Sequence, residues 1–189
     1  MTTSHGNRMF GAVRRIAELI EGTAGHSSLD SGELAELRRL DNASLSAPAF
    51  WRIVVGELEP RNLLPHRSGQ ARVESETRWG AILQAMAILR GLLATEVPLG
   101  EALAAASVTE LRVSRLLRER GPTLLDTVRT VARHLASKRQ RVDPLDLARL
   151  IDSDEADWRQ TVRQTIARDY YRAVYRRDNP NTTAPAEDA

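Results

Sequence analysis

The chain has no cysteine. Disulfides and thiolate metal sites are therefore excluded, and no redox compartment can be read from the residues. No run of about 18 apolar residues is present, which excludes a hydrophobic membrane span. The polar start, Met1 to Asn7, lacks the apolar core of a signal peptide, so a soluble cytoplasmic protein is expected. Strand-like alternation is almost missing. Aromatic residues are only 4% of the chain. Phe10, Phe50, Trp51, Trp79 and Trp158 fall mainly on apolar stripes, and the core is their expected place rather than a base-stacking surface.

Catalytic chemistry is equally scarce. His5, His26, His66 and His134 stand apart, without the paired spacing of a metal-binding helix. No glycine-rich phosphate loop occurs. The carboxylates of Asp152, Asp154, Glu155 and Asp157 crowd a helix start, where the helix dipole favours negative charge without any metal. Neither an enzyme nor a bound cofactor or metal is expected.

What the chain has in excess is arginine. Of 27 basic residues only Lys138 is a lysine. A GC-rich coding sequence would favour arginine over lysine, but it would not decide where the arginines sit. Residues 1–108 hold 11 basic and 12 acidic side chains, whereas residues 109–177 hold 16 and 10. A net charge of only +2 thus hides a basic C-terminal half that a polyanion would feel.

Helical periodicity runs through the whole chain. The pattern predicts helices over Arg8–Glu21, Glu33–Leu40 with Ser31 as cap, Ala49–Leu58 and Thr77–Leu93. A long exposed connection is expected at Pro60–Ala71. Further on come a short segment Pro98–Ser107 and a helix Thr109–Arg120 closed by Gly121-Pro122. A helix capped by Thr123 runs to Ala136, and another starts at Asp143-Pro144. The last and longest, opened by Ser153 or Asp154, runs to about Arg177. The expected architecture is all-α with no sheet: a small helical bundle over residues 1–94 packed on a second over 95–178, then a disordered tail, 179–189.

The arginines form rows away from the apolar stripes. Arg129 and Arg133 lie one turn apart beyond the stripe Leu124, Leu125, Val128, Val131, Ala132 and Leu135, with Asp126 the nearby acid. Arg159 pairs with Arg163 at the same spacing, and Arg168, Arg172 and Arg176 continue as a second row. Arg115 and Arg118 point away from Val113, Leu116 and Leu117, with Arg112 at the border. Like charges one turn apart cost about 0.2–0.5 kcal/mol per pair in an isolated helix, so helix stability alone does not select them. Rows of this kind suit a phosphate backbone, bound with steep salt dependence and little sequence preference. Two other readings use the same residues. Thr109–Ala136 could form a helix-turn-helix regulator, or the rows could serve a helical adaptor that binds only protein.

The order of five segments resembles the CasB family, the small subunit of the type I-E CRISPR surveillance complex, Cascade. They are Gly32–Arg39 (GELAELRR), Ala47–Arg52 (APAFWR), Leu99–Ala104 (LGEALA), Glu110–Arg118 (ELRVSRLLR) and Trp158–Gln164 (WRQTVRQ), and the likeness covers about residues 8–175. It implies a non-catalytic, all-helical protein, present as two copies beside the backbone and large subunits. It also implies binding to crRNA and target DNA and stabilisation of the R-loop with its displaced strand. Family basic positions match Arg38, Arg39, Arg112, Arg118, Arg159 and Arg163. Arg129 and Arg133 match a basic stretch whose spacing differs at Gly121-Pro122.

Overall fold

A computed structural model describes residues 2–41, 44–66, 69–152 and 156–180. Among them the fold is all-α. Helix α1 (Thr2–Glu21) buries Met9, Val13, Ile16 and Ile20. It begins ahead of Arg8, because no proline stops residues 2–7 from extending a helix that is already nucleated. Helix α2 (Ser31–Arg38) is capped by Asp30 rather than Ser31. The Asp30 carboxylate accepts from the Glu33 amide, and the Glu33 carboxylate accepts in return from the Asp30 amide, both at 2.9 Å.

Helix α3 (Pro48–Ile53) runs on into a π turn, Val54–Leu58. The connection after it tucks Leu63 and Leu64 into the core, so it is not wholly exposed. Helix α4 (Gln70–Ile88) starts about two turns before Thr77 and ends before Leu93, where Gly91 turns the chain with φ of 82°. Helices α5 (Leu99–Ala105), α6 (Glu110–Arg118) and α7 (Gly121–Ser137) follow. Gly121-Pro122 opens α7 instead of closing α6, and Arg120, not Thr123, is its N-cap. Proline lacks an amide that the first turn leaves unused anyway, so the pair suits a helix start. Helix α8 (Pro144–Ile151) has Asp143 as its N-cap, accepting from the Leu145 amide at 2.8 Å. Helix α9 is Ala156–Asp178. The expected opening at Ser153 or Asp154 lies outside the described residues, as does the tail from Asn181 onward.

Helix α4 is the centre of the packing. Its residues from Trp79 to Ala87 are buried on every side, as a helix enclosed by others must be. It packs on α2 and α1 from the first part of the chain and on α7 and α8 from the second. An isolated parallel bridge between Leu93 and Val142 ties the segment after α4 to the one before α8. The tightest crossing is α5 on α9. A methyl group at Gly100 would run into the Ile166 carbonyl oxygen and lie 2.7 Å from the Tyr170 nitrogen. Only a residue without a side chain lets these backbones meet.

Phe50 and Trp79 are core residues as expected, but Phe10, Trp51 and Trp158 are 45%, 41% and 39% exposed. They sit at the edges of their stripes, where periodicity does not distinguish half-burial from full burial. Trp51 donates its ring N–H to the Leu45 carbonyl at 2.9 Å and meets Phe50 edge-on. Arg149 lies 6.0 Å over the Trp158 ring.

Replacing Gly100 with Ala should cost about 1–3 kcal/mol in urea unfolding, because packed backbone has no low-energy way to yield. A second expected outcome concerns Asp143, whose carboxyl is raised from 3.8 to about 6, first by burial and then by the charges of Asp146 and Glu96. The native state therefore holds that proton more tightly than the unfolded chain, and stability falls as pH rises through this range. Asp143→Asn keeps a capping oxygen, so its melting temperature should gain on the parent's between pH 4 and 7. A gap that does not change with pH would contradict this.

Candidate nucleic-acid interface

Arg38 and Arg39 end α2 against the C-terminal turn of α4. The buried Gln84 of α4 donates to the carbonyls of Arg38 at 3.2 Å and Leu40 at 2.9 Å, which holds the end of α2. Arg38 donates Nε to the Ala87 carbonyl at 2.9 Å, satisfying one of the acceptors left open in the last turn of α4. Arg39 is exposed and meets no acid among the described residues.

Five of the sequence candidates sit on α6 and α7, and their surroundings divide them. Arg115 binds Glu119 at 2.5 Å, and Arg129 binds Asp126 at 2.5 Å. The Glu119 carboxylate also accepts from the Thr127 hydroxyl, which joins α6 to α7. These contacts hold Glu119 below the usual carboxylate range, the Arg115 hydrogen bond being the largest cause. Arg112, Arg118 and Arg133 are exposed, with no acidic partner among the described residues. Arg112 and Arg115 share a groove of about 490 Å³ with Thr123, Asp126 and Thr130 of α7. His134 ties this region down, its Nε2 lying 3.1 Å from the Ala106 carbonyl oxygen.

Arg159 and Arg163 do not form an exposed row. Arg163 is only 6% exposed, and it enters a cleft of about 480 Å³ between α4, α7, α8 and α9. Its Nη2 donates to the Glu119 carbonyl at 3.2 Å, and its Nε meets no acceptor. Burial, and then the neighbouring charges of Arg120 and Arg159, pull its guanidinium below the ordinary arginine value. Arg78 and Arg120 also line this cleft, and sequence periodicity did not single out either one. Arg78 binds the buried Asp152 at 2.9 Å. Arg120 donates Nη1 to the carbonyls of Leu117, Arg118 and Glu119 at the end of α6. The signal for Arg120 was its place just before Gly121-Pro122, once that pair is read as a helix start. Nothing local marks Arg78, since it acquires its setting from α8 and α9.

Of the acidic cluster at Asp152–Asp157, Asp152 serves as the partner of Arg78, while Ser153, Asp154 and Glu155 lie outside the described residues. Among the described residues no group of three His, Asp or Glu side chains is placed to hold a metal ion. None of the described helices is long and apolar enough to cross a membrane.

The family model described as CRISPR-associated protein Cse2 matches residues 33–171. No match is found among curated proteins. The fold is similar to the crystal structure of CasB from Thermobifida fusca, with a TM-score of 0.63 and 19% sequence identity. That likeness covers 89% of this chain and 98% of the other.

A buried cation flanked by two other arginines contributes little to stability. Arg163→Met, which keeps the volume of the stem, should leave the melting temperature unchanged or raise it. A fall of more than about 4 °C, the equivalent of 1 kcal/mol or more, would mean that a counter-charge holds the guanidinium in place.

Proposed function

Because the chain belongs to the CRISPR-associated Cse2 family, we propose that it is the non-catalytic small subunit of a type I-E Cascade surveillance complex. In this role it binds nucleic-acid backbone without sequence preference and stabilises the R-loop and its displaced strand. Its partners are the backbone and large subunits, crRNA, target DNA and a second copy of itself. The observation that carries the reading is the family match, which spans α2 to α9 and so takes in every candidate arginine.

The physical basis is a small energy difference. Exchanging a DNA duplex for an RNA–DNA hybrid is nearly balanced, so a few contacts to strand backbones can tip it. Arginine suits the task because it stays charged and offers phosphate a planar, two-point fork. The surroundings of each side chain rank the candidates. Arg39, Arg112, Arg118 and Arg133 are exposed without an acidic partner among the described residues, so they lead. Arg115 and Arg129 must first give up Glu119 and Asp126, and Arg38 has its Nε committed to Ala87. Arg159 and Arg163 belong to the cleft rather than to an outer track.

The test is a salt titration of single-stranded DNA binding. In Arg112→Gln/Arg118→Gln the slope of log K against log salt should fall by about 1.4, or about 0.7 for each phosphate that is no longer neutralised. Arg115→Gln/Arg129→Gln should change it less. An unchanged slope in the first variant would remove Arg112 and Arg118 from the interface. Preference for one duplex sequence over random DNA would favour a helix-turn-helix regulator. The absence of any salt-dependent binding would favour a protein-only adaptor.

A further inference from the structure

We propose that the cleft between α4, α7 and α9 is a discrete phosphate seat, with the buried guanidinium of Arg163 as its floor and Arg120 and the first turn of α7 as its wall. Three independent observations converge there. Arg163 is 6% exposed, and its Nε has no acceptor, although the side chain lines an open cleft. A buried donor on a cation is costly to leave unmatched, and the groups its charge feels most are two further cations, Arg120 and Arg159. Among the described residues no carboxylate pairs with Arg163, and an anion seated in the cleft would supply that counter-charge.

The second observation is the start of α7. This helix of 17 residues has no capping side chain at its N-terminus and no acid in its first turn. Gly121, Pro122 and Leu124 of that turn line the same cleft. Pro122 has no N–H and the Leu124 amide donates to the Arg120 carbonyl at 3.4 Å, so it is the Gly121 amide, with the positive end of the helix dipole, that borders the space Arg163 enters.

The third is the charge of the walls. Glu74 is the one acid lining the cleft among the described residues, and it already accepts from Gln70 at 2.9 Å. The seat works whether or not Arg78 and Arg159 are engaged elsewhere, because Arg163, Arg120 and the Gly121 amide at the start of α7 form it. A volume of about 480 Å³ leaves room for a phosphate and part of the chain that carries it. The ligand chemistry is a phosphate oxyanion, supplied either by a nucleic-acid phosphodiester or as free phosphate. The first source rests on the function proposed above, and the second does not.

The experiment compares melting of the full chain in inorganic phosphate and in chloride, at equal pH and ionic strength. Tens of millimolar phosphate should raise the melting temperature by about 2–4 °C. The shift should vanish in Arg163→Met and shrink in Arg120→Gln, while Arg14→Gln, on α1 and outside the cleft, keeps it. Equal melting of the parent protein in the two salts overturns the proposal, as does a full shift in both cleft variants. Should Arg163→Met fail to fold, Arg120→Gln still decides.

A second arm identifies the source by titrating phosphate, at constant ionic strength, against a bound single-stranded oligonucleotide. Competition in the parent that disappears in Arg163→Met assigns the seat to a strand phosphodiester. A melting shift without competition assigns it to free phosphate. An oligonucleotide that does not bind at all defeats the R-loop function while leaving the seat standing on the melting result.

Discussion

The side chain missing at Gly100 sets the orientation of the C-terminal helix. With the α5 backbone against the Ile166 carbonyl, α9 lies with Val162, Ile166 and Tyr170 turned inward. Tyr170 secures that rotation by donating its hydroxyl to the Val108 carbonyl at 2.7 Å, which also fixes the lead-in to α6. Arg163 is next to Val162 on the helix and is carried inward with it. Arg168 and Arg172, further along, are less enclosed. One close approach thus sorts the basic residues of α9 into a buried group and an outer one.

That sorting matters because an arginine's usefulness to a polyanion depends on what already holds it. Where an acid is within reach, as for Arg115 beside Glu119 or Arg129 beside Asp126, the local field is nearly cancelled and binding must first break a pair. Where none is among the described residues, as for Arg112, Arg118 and Arg133, the charge is available at no such cost. Arg163 is a third kind, a cation short of partners and short of water. Burial of this sort is costly, and proteins tolerate it where a ligand or partner supplies the missing charge. The excess of basic over acidic residues in the C-terminal half therefore resolves into distinct local situations.

Much of the fold was legible from periodicity and caps. Asp143-Pro144 marked the start of α8, and stripes of leucine and valine marked the inner faces of α6 and α7. Boundaries were less secure where one residue pair suits two roles. Gly121-Pro122 can end a helix or begin one, and the choice depends on whether the following turn has a surface to pack on. Of the site, the arginines of α6 were legible as exposed side chains. Arg163 was not, because its spacing from Arg159 is the same whether the helix face looks outward or into a neighbour. Arg78 escapes sequence reasoning because its setting comes from α8 and α9, which are distant along the chain, and Arg120 because its place depends on reading Gly121-Pro122 as a helix start.

By itself the sequence determined the helical class, the inner stripe of most helices and the basic balance of the second half. These are local properties, set by periodicity at 3.6 residues per turn and by composition. It also carried the order of segments through which the family resemblance is seen. The tertiary structure alone decided which arginines keep their charge open, which are neutralised and which are buried. The reason is that pairing and desolvation act through space over a few ångströms, between residues as far apart along the chain as Arg78 and Asp152 or Glu119 and Arg163.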